Sequence, residues 1–298
     1  TALAVELHGH GVDLHLYADD TQLYISFVPT TTEGEMLQKL EMCIEDVRTW
    51  MCLNFLKLND DKTEFIILGS PHNLNKVTTE SINIGNAKIT SSTVVKNIGA
   101  VFDSQMKMEQ QVNRTCRAAW YNLYNIGKLR KYLSTEQTKT VIHAYVTSKI
   151  DQNNSLLHGI PGKLLSKLQR IQNASAKLIV GAKKRDHVTA ILKELHWLPV
   201  DQRVVFKVLL LTYKALHDEG PLYLKELLHW HVPSRSLRSS SANLLVVPSS
   251  KLITYGDRSF HVAAPTLWNK LPLIVRNSSS CDVFKKNLKT HLFKIAYK

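Results

Sequence analysis

Leu14-His15-Leu16-Tyr17-Ala18-Asp19-Asp20-Thr21-Gln22-Leu23-Tyr24-Ile25-Ser26-Phe27 carries apolar residues at every second position on two short arms. Leu14 and Leu16 form one series and Leu23, Ile25 and Phe27 the other, so the segment predicts a β-hairpin with Ala18-Asp19-Asp20 between its arms. Paired carboxylates at a hairpin tip can bind Mg²⁺, because a hard cation prefers oxygen ligands and accepts substrate phosphates in the same shell. Two such ions can activate an attacking hydroxyl and stabilise a leaving pyrophosphate. Adjacent strand residues point to opposite faces, so Asp19 and Asp20 are expected to play unequal parts. Asp-Asp is also an ordinary turn pair, and that alternative stands on these residues alone.

Outward from this segment, Thr32 and Glu35 fit a capping box and predict a helix start. Leu37, Leu40, Ile44, Val47 and Met51 follow at spacings of three and four, one helical face. Thr63–Leu68 reads as a β-like run, Ile82–Ile89 as a hairpin around Gly85-Asn86, and Val94–Phe102 as a strand-rich stretch. From about Met106 the pattern is helical. Ser134 and Gln137 form a second capping box. Leu164, Leu168, Ile171 and Leu178 mark a helix stopped near Gly181, and Val204, Val205, Val208, Leu209 and Leu216 mark another, ended by Gly220-Pro221. Residues 233–250 are rich in Ser, Arg and Pro and predict a linker, with a short closing helix over Phe284–Phe293. The expected fold class is α+β: residues 1–105 as an α+β domain, 106–232 as a helical basic domain, and 233–298 as a linker and basic C-terminal segment.

Charge divides along the same line. Residues 1–102 hold 7 Lys and Arg against 13 Asp and Glu, a net −6, whereas residues 103–298 hold 31 against 12, a net +19. Such asymmetry points the second part toward a polyanion, with general solubility as the plainer use of the same charge. The four cysteines, Cys43, Cys52, Cys116 and Cys281, have no CxxC spacing and are expected as free thiols in a reducing compartment. No apolar run approaches the roughly 20 residues that a membrane span needs. Neither a His/carboxylate facial triad nor a Gly-rich cofactor loop is present, which argues against a metal-dependent dioxygenase or a methyltransferase. His229 and His231 have no ligand set around them and are expected to be ordinary histidines.

Tyr17-Ala18-Asp19-Asp20 is followed in order by Leu58-Asn59-Asp60-Asp61-Lys62-Thr63-Glu64 and by Val95-Lys96-Asn97-Ile98-Gly99-Ala100-Val101-Phe102-Asp103. Further along stand Ser148-Lys149-Ile150-Asp151, Leu168–Ala174, Leu195-His196-Trp197-Leu198-Pro199-Val200, Ala264–Pro272 and Leu288–Phe293. This ordered series resembles the reverse transcriptases of LINE-type, CR1/L2-like non-LTR retrotransposons, across essentially the whole chain. The resemblance implies an RNA-directed DNA polymerase: a partial polymerase palm followed by a mainly α thumb. Asp19 and Asp20 would be its catalytic and Mg²⁺-binding carboxylates, and Lys62 a catalytic cation near the leaving pyrophosphate. Val95–Phe102 would grip the primer end. RNA template, DNA primer and deoxynucleotides would be the partners, in the nucleus or cytoplasm and away from membranes. The family's first palm motif, with another metal-binding Asp, is expected upstream of Thr1, so the chain reads as a fragment without polymerase activity of its own. Where related elements show Asp-Tyr-Cys-Asn, this chain has Asp151-Gln152-Asn153-Asn154. The other function class is a non-catalytic nucleic-acid-binding protein, either a remnant or co-opted.

Candidate phosphate contacts are Lys128, Arg130 and Lys131; Lys163, Lys167, Arg170 and Lys177 along one helical segment; and Lys183, Lys184 and Arg185, with Lys285, Lys286 and Lys289 a further cluster. Cations of this kind give affinity through counterion release with little sequence information. Trp120, Tyr121, Tyr124 and Tyr132 lie nearby. Core packing is their expected use, with base stacking as the alternative.

Overall fold

The computed structural model describes residues 11–85, 87–183, 185–232, 243–250, 252 and 255–298. The chain divides into two compact units, Thr1–Gln110 and Gln111–Lys298. All six strands among the described residues fall in the first unit, and the second is helical apart from one isolated bridge.

In the N-terminal unit the predicted hairpin is present: β1 (Asp13–Tyr17) pairs antiparallel with β2 (Asp20–Tyr24), with Leu14 opposite Leu23 and Tyr17 opposite Asp20. Two more antiparallel ribbons follow, β3 (Ser81–Ile84) with β4 (Ala87–Thr90), and β5 (Val94–Asn97) with β6 (Ala100–Asp103). Each stays a two-stranded sheet. A lone hairpin is marginal in water, so these ribbons need an apolar partner. Helix α1 (Glu33–Leu53) supplies it for the first two ribbons, and a one-turn helix, α2 (Pro71–Leu74), precedes β3. Its Leu37, Leu40 and Ile44 pack with Phe65, Ile82 and Ile84, while Cys43 and Val47 meet Leu14, Leu16 and Leu23 of the first hairpin. Period-two alternation then sends His15 and Gln22 to the hairpin's other face.

Two local expectations fail here for identifiable reasons. The helix starts at Glu33 as predicted, but Thr32 makes no capping box. Its hydroxyl accepts from the Val28 amide (2.9 Å) in the preceding turn, and Glu35 pairs with Lys39. Thr63–Leu68 is not a strand: only Phe65 bridges, to Ser91, and the Phe65 carbonyl accepts from Ser92 N–H. The apolar residues of this run are held by packing on α1, which does not require a ladder.

The C-terminal unit is built from α3 (Glu109–Leu129), α4 (Thr135–Ile142), a π-type turn His143–Thr147 that runs into α5 (Ser148–Asp151), α6 (Gly162–Val180), α7 (Val188–Glu194), α8 (Val200–Leu216), α9 (Leu222–Lys225), α10 (Phe260–Asn269), α11 (Leu273–Arg276) and α12 (Cys281–Ala296). The Ser134/Gln137 capping box forms in full, and Gly181 closes α6 at φ 71°, where glycine carries no Cβ penalty. The core joins Val208, Leu209 and Tyr213 of α8 to Trp268 of α10 and to Phe284, Leu288 and Leu292 of α12. Tyr213 stacks on Phe284 at 4.3 Å and donates its hydroxyl to the Ser278 carbonyl.

Of the expected linker, residues 233–242 lie outside the described residues. The remainder is anchored: Leu245 is buried, bridges Trp230, and exchanges two hydrogen bonds with the Asn269 side chain. No helix among the described residues is long and apolar enough to cross a membrane.

Candidate functional site

Asp19 and Asp20 sit at the tip of the β1–β2 hairpin, exposed. Tyr17 and Asp20 form the last strand pair, so Ala18 and Asp19 are the two loop residues. Ala18 has φ +53°. Two-residue hairpin loops of the II′ type require a positive φ at that first position, because their twist matches the strands. Alanine there carries steric strain that glycine would not. The tip is therefore held by the strands below it, and those are fixed by Leu14, Leu16 and Leu23 on α1.

The other face of the hairpin meets the β5–β6 ribbon. Gln22 Nε2 donates to Asn97 Oδ1 at 2.9 Å. Asn97 begins the turn Asn97-Ile98-Gly99-Ala100, in which Ile98 (φ 43°) and Gly99 (φ 78°) both adopt left-handed backbone. Positive φ at both central residues is the I′ geometry, usually filled by Asn-Gly. A β-branched residue there is a genuine outlier, costing roughly 1–2 kcal/mol. The carboxylate hairpin and the strained turn are thus joined within one unit. Beyond the turn, Asp103 accepts from the amides of Gln105, Lys107 and Met108, so this carboxylate closes a loop.

Lys62 is exposed in the short 3₁₀ turn Asp60–Lys62. Among the described residues no hydrogen bond or ion pair links it to Asp19 or Asp20. Its neighbour Asp60 is tied to Arg48 at 3.0 Å. A divalent ion needs more oxygen donors than an exposed aspartate pair provides. No group of three or more His, Cys, Asp or Glu side chains that could hold a metal occurs among the described residues. The donors present do not make up a Mg²⁺ centre by themselves.

In the C-terminal unit the candidate cations fall into different roles. Lys128, Lys131, Lys163, Arg170, Lys183 and Arg185 are exposed. Lys167 is half-buried and donates to Asn113 at 2.8 Å, and Lys177 is half-buried on α6. Lys184 lies outside the described residues. Arg130 departs from its expected role as a phosphate contact. Its Nε and one terminal nitrogen donate to the carbonyls of Leu178 and Ile179 at 3.0 Å each, and the other to Leu133 O at 2.9 Å. Carbonyls at a helix C-terminus lack intrahelical donors and carry partial negative charge, so a guanidinium is well suited to them. Arg130 caps α6.

The aromatic residues also depart from expectation. Trp120, Tyr121, Tyr124 and Tyr132 are 44, 68, 65 and 73% exposed, so they do not form the core. The buried face of α3 is Val112, Ala119, Leu123 and Ile126. Lys128 Nζ lies 4.4 Å from the Tyr124 ring centre, and Lys131 Nζ 4.7 Å from that of Tyr132. Arg114 and Arg117, which the charge clusters had passed over, are exposed on the same helix.

A second group not found from sequence is the fork between Arg203 and Asp151. Arg203 Nε donates to Asp151 Oδ1 at 2.8 Å, and its terminal nitrogen pairs with Oδ2. This pins α5 to α8 just after the π-type turn. His143, in that turn, stands edge-on to Trp197 at 5.3 Å. Burial, together with nearby Arg203 and Lys139, holds its pKa below the ordinary histidine value.

Comparison with protein-family models, with curated proteins and with solved structures finds no match to this chain.

Proposed function

We propose that this chain is a nucleic-acid-binding protein of reverse-transcriptase lineage. In this reading its N-terminal unit carries part of the palm of an RNA-directed DNA polymerase, and its helical unit binds the polyanion. The carrying observation is the Gln22–Asn97 hydrogen bond: it fastens a hairpin with two carboxylates at its tip to a second hairpin in one unit. That is the arrangement expected if Asp19 and Asp20 face a primer end held by Val95–Phe102. The net charge of +19 over residues 103–298 supports a polyanionic partner. For these 298 residues the reading is binding of RNA template and DNA primer without synthesis, since a carboxylate pair alone cannot organise two Mg²⁺ ions. It places the protein where those nucleic acids are, in the nucleus or cytoplasm.

The test uses the full chain on an RNA template with an annealed DNA primer. Salt-sensitive binding without incorporation of deoxynucleotides, in Mg²⁺ or Mn²⁺, is the expected result. Absence of binding at low salt overturns the reading. Incorporation that disappears in Asp19→Asn would mean the chain completes an active centre and is a polymerase outright.

A further inference from the structure

We propose that the cleft between α3 and α6 is a base-stacking site for single-stranded nucleic acid. The inference deepens the nucleic-acid-binding reading and rests on it. The cleft has a volume of about 430 Å³ and is lined by Trp120, Leu123, Tyr124, Gly127 and Lys128 of α3 and by Ala174 and Leu178 of α6. Its walls are apolar and two of them are aromatic. An exposed indole and phenol beside a cavity are costly to leave in water. They are well matched to a flat apolar ring entering between them.

Charge identifies the occupant. Residues 110–135 contain five Lys and Arg and no Asp or Glu, and residues 152–185 contain seven and none. The α6 helix and all of α3 beyond its first residue, Glu109, are therefore free of carboxylates. Along α3 the exposed residues Arg114, Arg117, Tyr121, Tyr124 and Lys128 recur at spacings of three, four, three and four. That spacing places them in one stripe. Two cations, two aromatic rings and a third cation follow one another along it, with Trp120 beside them opening into the cleft. A protein partner with an acidic face would satisfy the cations but has no use for ring faces between them. A single strand has phosphates at regular intervals and unstacked bases between, so it satisfies both. A duplex keeps its base faces covered and can offer only phosphates.

The site is pre-formed. Arg130 ties the end of α3 to the last carbonyls of α6 and so fixes the distance between the walls. Gly127 leaves the floor open: a Cβ built there meets no atom within 4 Å. A glycine inside a helix costs roughly 1 kcal/mol relative to alanine, and Gly127 lines the cleft without adding a side chain to it. Lys128 Nζ lies over the Tyr124 ring, 4.4 Å from its centre. An incoming base takes the ring face while the ammonium passes to a phosphate, so the cation is never left without a partner.

The experiment is fluorescence anisotropy on the full chain with a labelled oligothymidylate and, separately, a duplex of the same length. Trp120→Ala and Tyr124→Ala should each lower single-strand affinity about 10-fold and leave duplex affinity and the salt dependence of both nearly unchanged. Gly127→Leu fills the cleft without removing an aromatic residue and improves helix propensity, so it guards against loss of fold. It should give the same selective loss. Single-strand affinity unchanged in all three variants, with salt-sensitive binding intact, overturns the stacking site and leaves the broader reading standing. No salt-sensitive binding by the unaltered chain overturns both. Self-association of the unaltered chain that the three variants abolish, seen by sedimentation, would assign the cleft to a second copy and overturn the proposal.

Discussion

Gln22 and Asn97, 75 positions apart in sequence, are joined by one hydrogen bond of 2.9 Å between side-chain amides. The bond is partly buried and links two hairpins that share no ladder. A double-mutant cycle of Gln22→Ala and Asn97→Ala should give a coupling of about 0.5–1.5 kcal/mol in chemical denaturation. Strict additivity of the two substitutions would mean the hairpins hold their places without this bond.

Ile98 should be improvable. Replacing it with Asn supplies the Asn-Gly pair that a I′ turn favours and removes the β-branched clash at φ 43°. The expected gain is about 1 kcal/mol, read as a higher denaturant midpoint with an unchanged slope. A loss of stability in Ile98→Asn would show that the exposed isoleucine makes contacts outweighing its backbone strain.

Arg130 separates structure from binding. Arg130→Ala leaves the carbonyls of Leu178 and Ile179 without the guanidinium and should cost about 1.5–3 kcal/mol, as for hydrogen bonds to a charged group. Arg130→Lys should recover only part, because an ammonium cannot fork between two acceptors. Under conditions where both variants are folded, the slope of log affinity against log salt should match the unaltered chain. A slope reduced by roughly one phosphate contact would return Arg130 to the nucleic-acid surface. Lys128→Gln with Lys131→Gln, by contrast, should lower that slope.

Acid should destabilise the protein in two steps. Burial lowers the pKa of His143, His158 and His291 below 6.5, with neighbouring cations adding to the effect. The unfolded chain then binds more protons than the folded one as pH falls through 6.5, so stability is present above that value and lost below it. Glu33 gives the second step. Burial alone would raise its pKa, but hydrogen bonds from Thr78 and Thr79 outweigh that and hold it below 4.5. Its contribution is present above 4.5 and lost as pH falls further. Denaturant midpoints measured from neutral pH downward should decline in both windows. In His158→Gln the first decline should be shallower, and an identical profile would remove His158 from the account.

The first hairpin and the helix after it were legible because alternation at period two and spacing at three and four are local signals. Ser134 and Thr32 show the limit of such signals. Both precede an acceptor-bearing residue by three positions, yet only Ser134 caps, since Thr32 is captured by the turn before it. On α3 two stripes share one helical period: Val112, Ala119, Leu123 and Ile126, and the aromatic-cationic set one or two positions away. Side-chain size argues that the aromatics are core, and only the tertiary packing reverses this. Arg130 and Arg203 were out of reach for a related reason. Their partners lie 48 and 52 positions away, and no spacing rule connects a cation to a carbonyl or carboxylate at that range.

The packing of α12 against α8 has a consequence for biosynthesis. Phe284, Leu288 and Leu292 complete the apolar surface around Val208, Leu209 and Tyr213. They are also among the last residues the ribosome delivers within this stretch. The hairpin unit, whose core lies within residues 12–89, can close while translation continues. The helical unit cannot, and its half-open apolar core stays exposed to other chains for the interval. A stop codon ahead of Cys281 would make that interval permanent, leaving the stacked face of Tyr213 open to water and the product prone to aggregate.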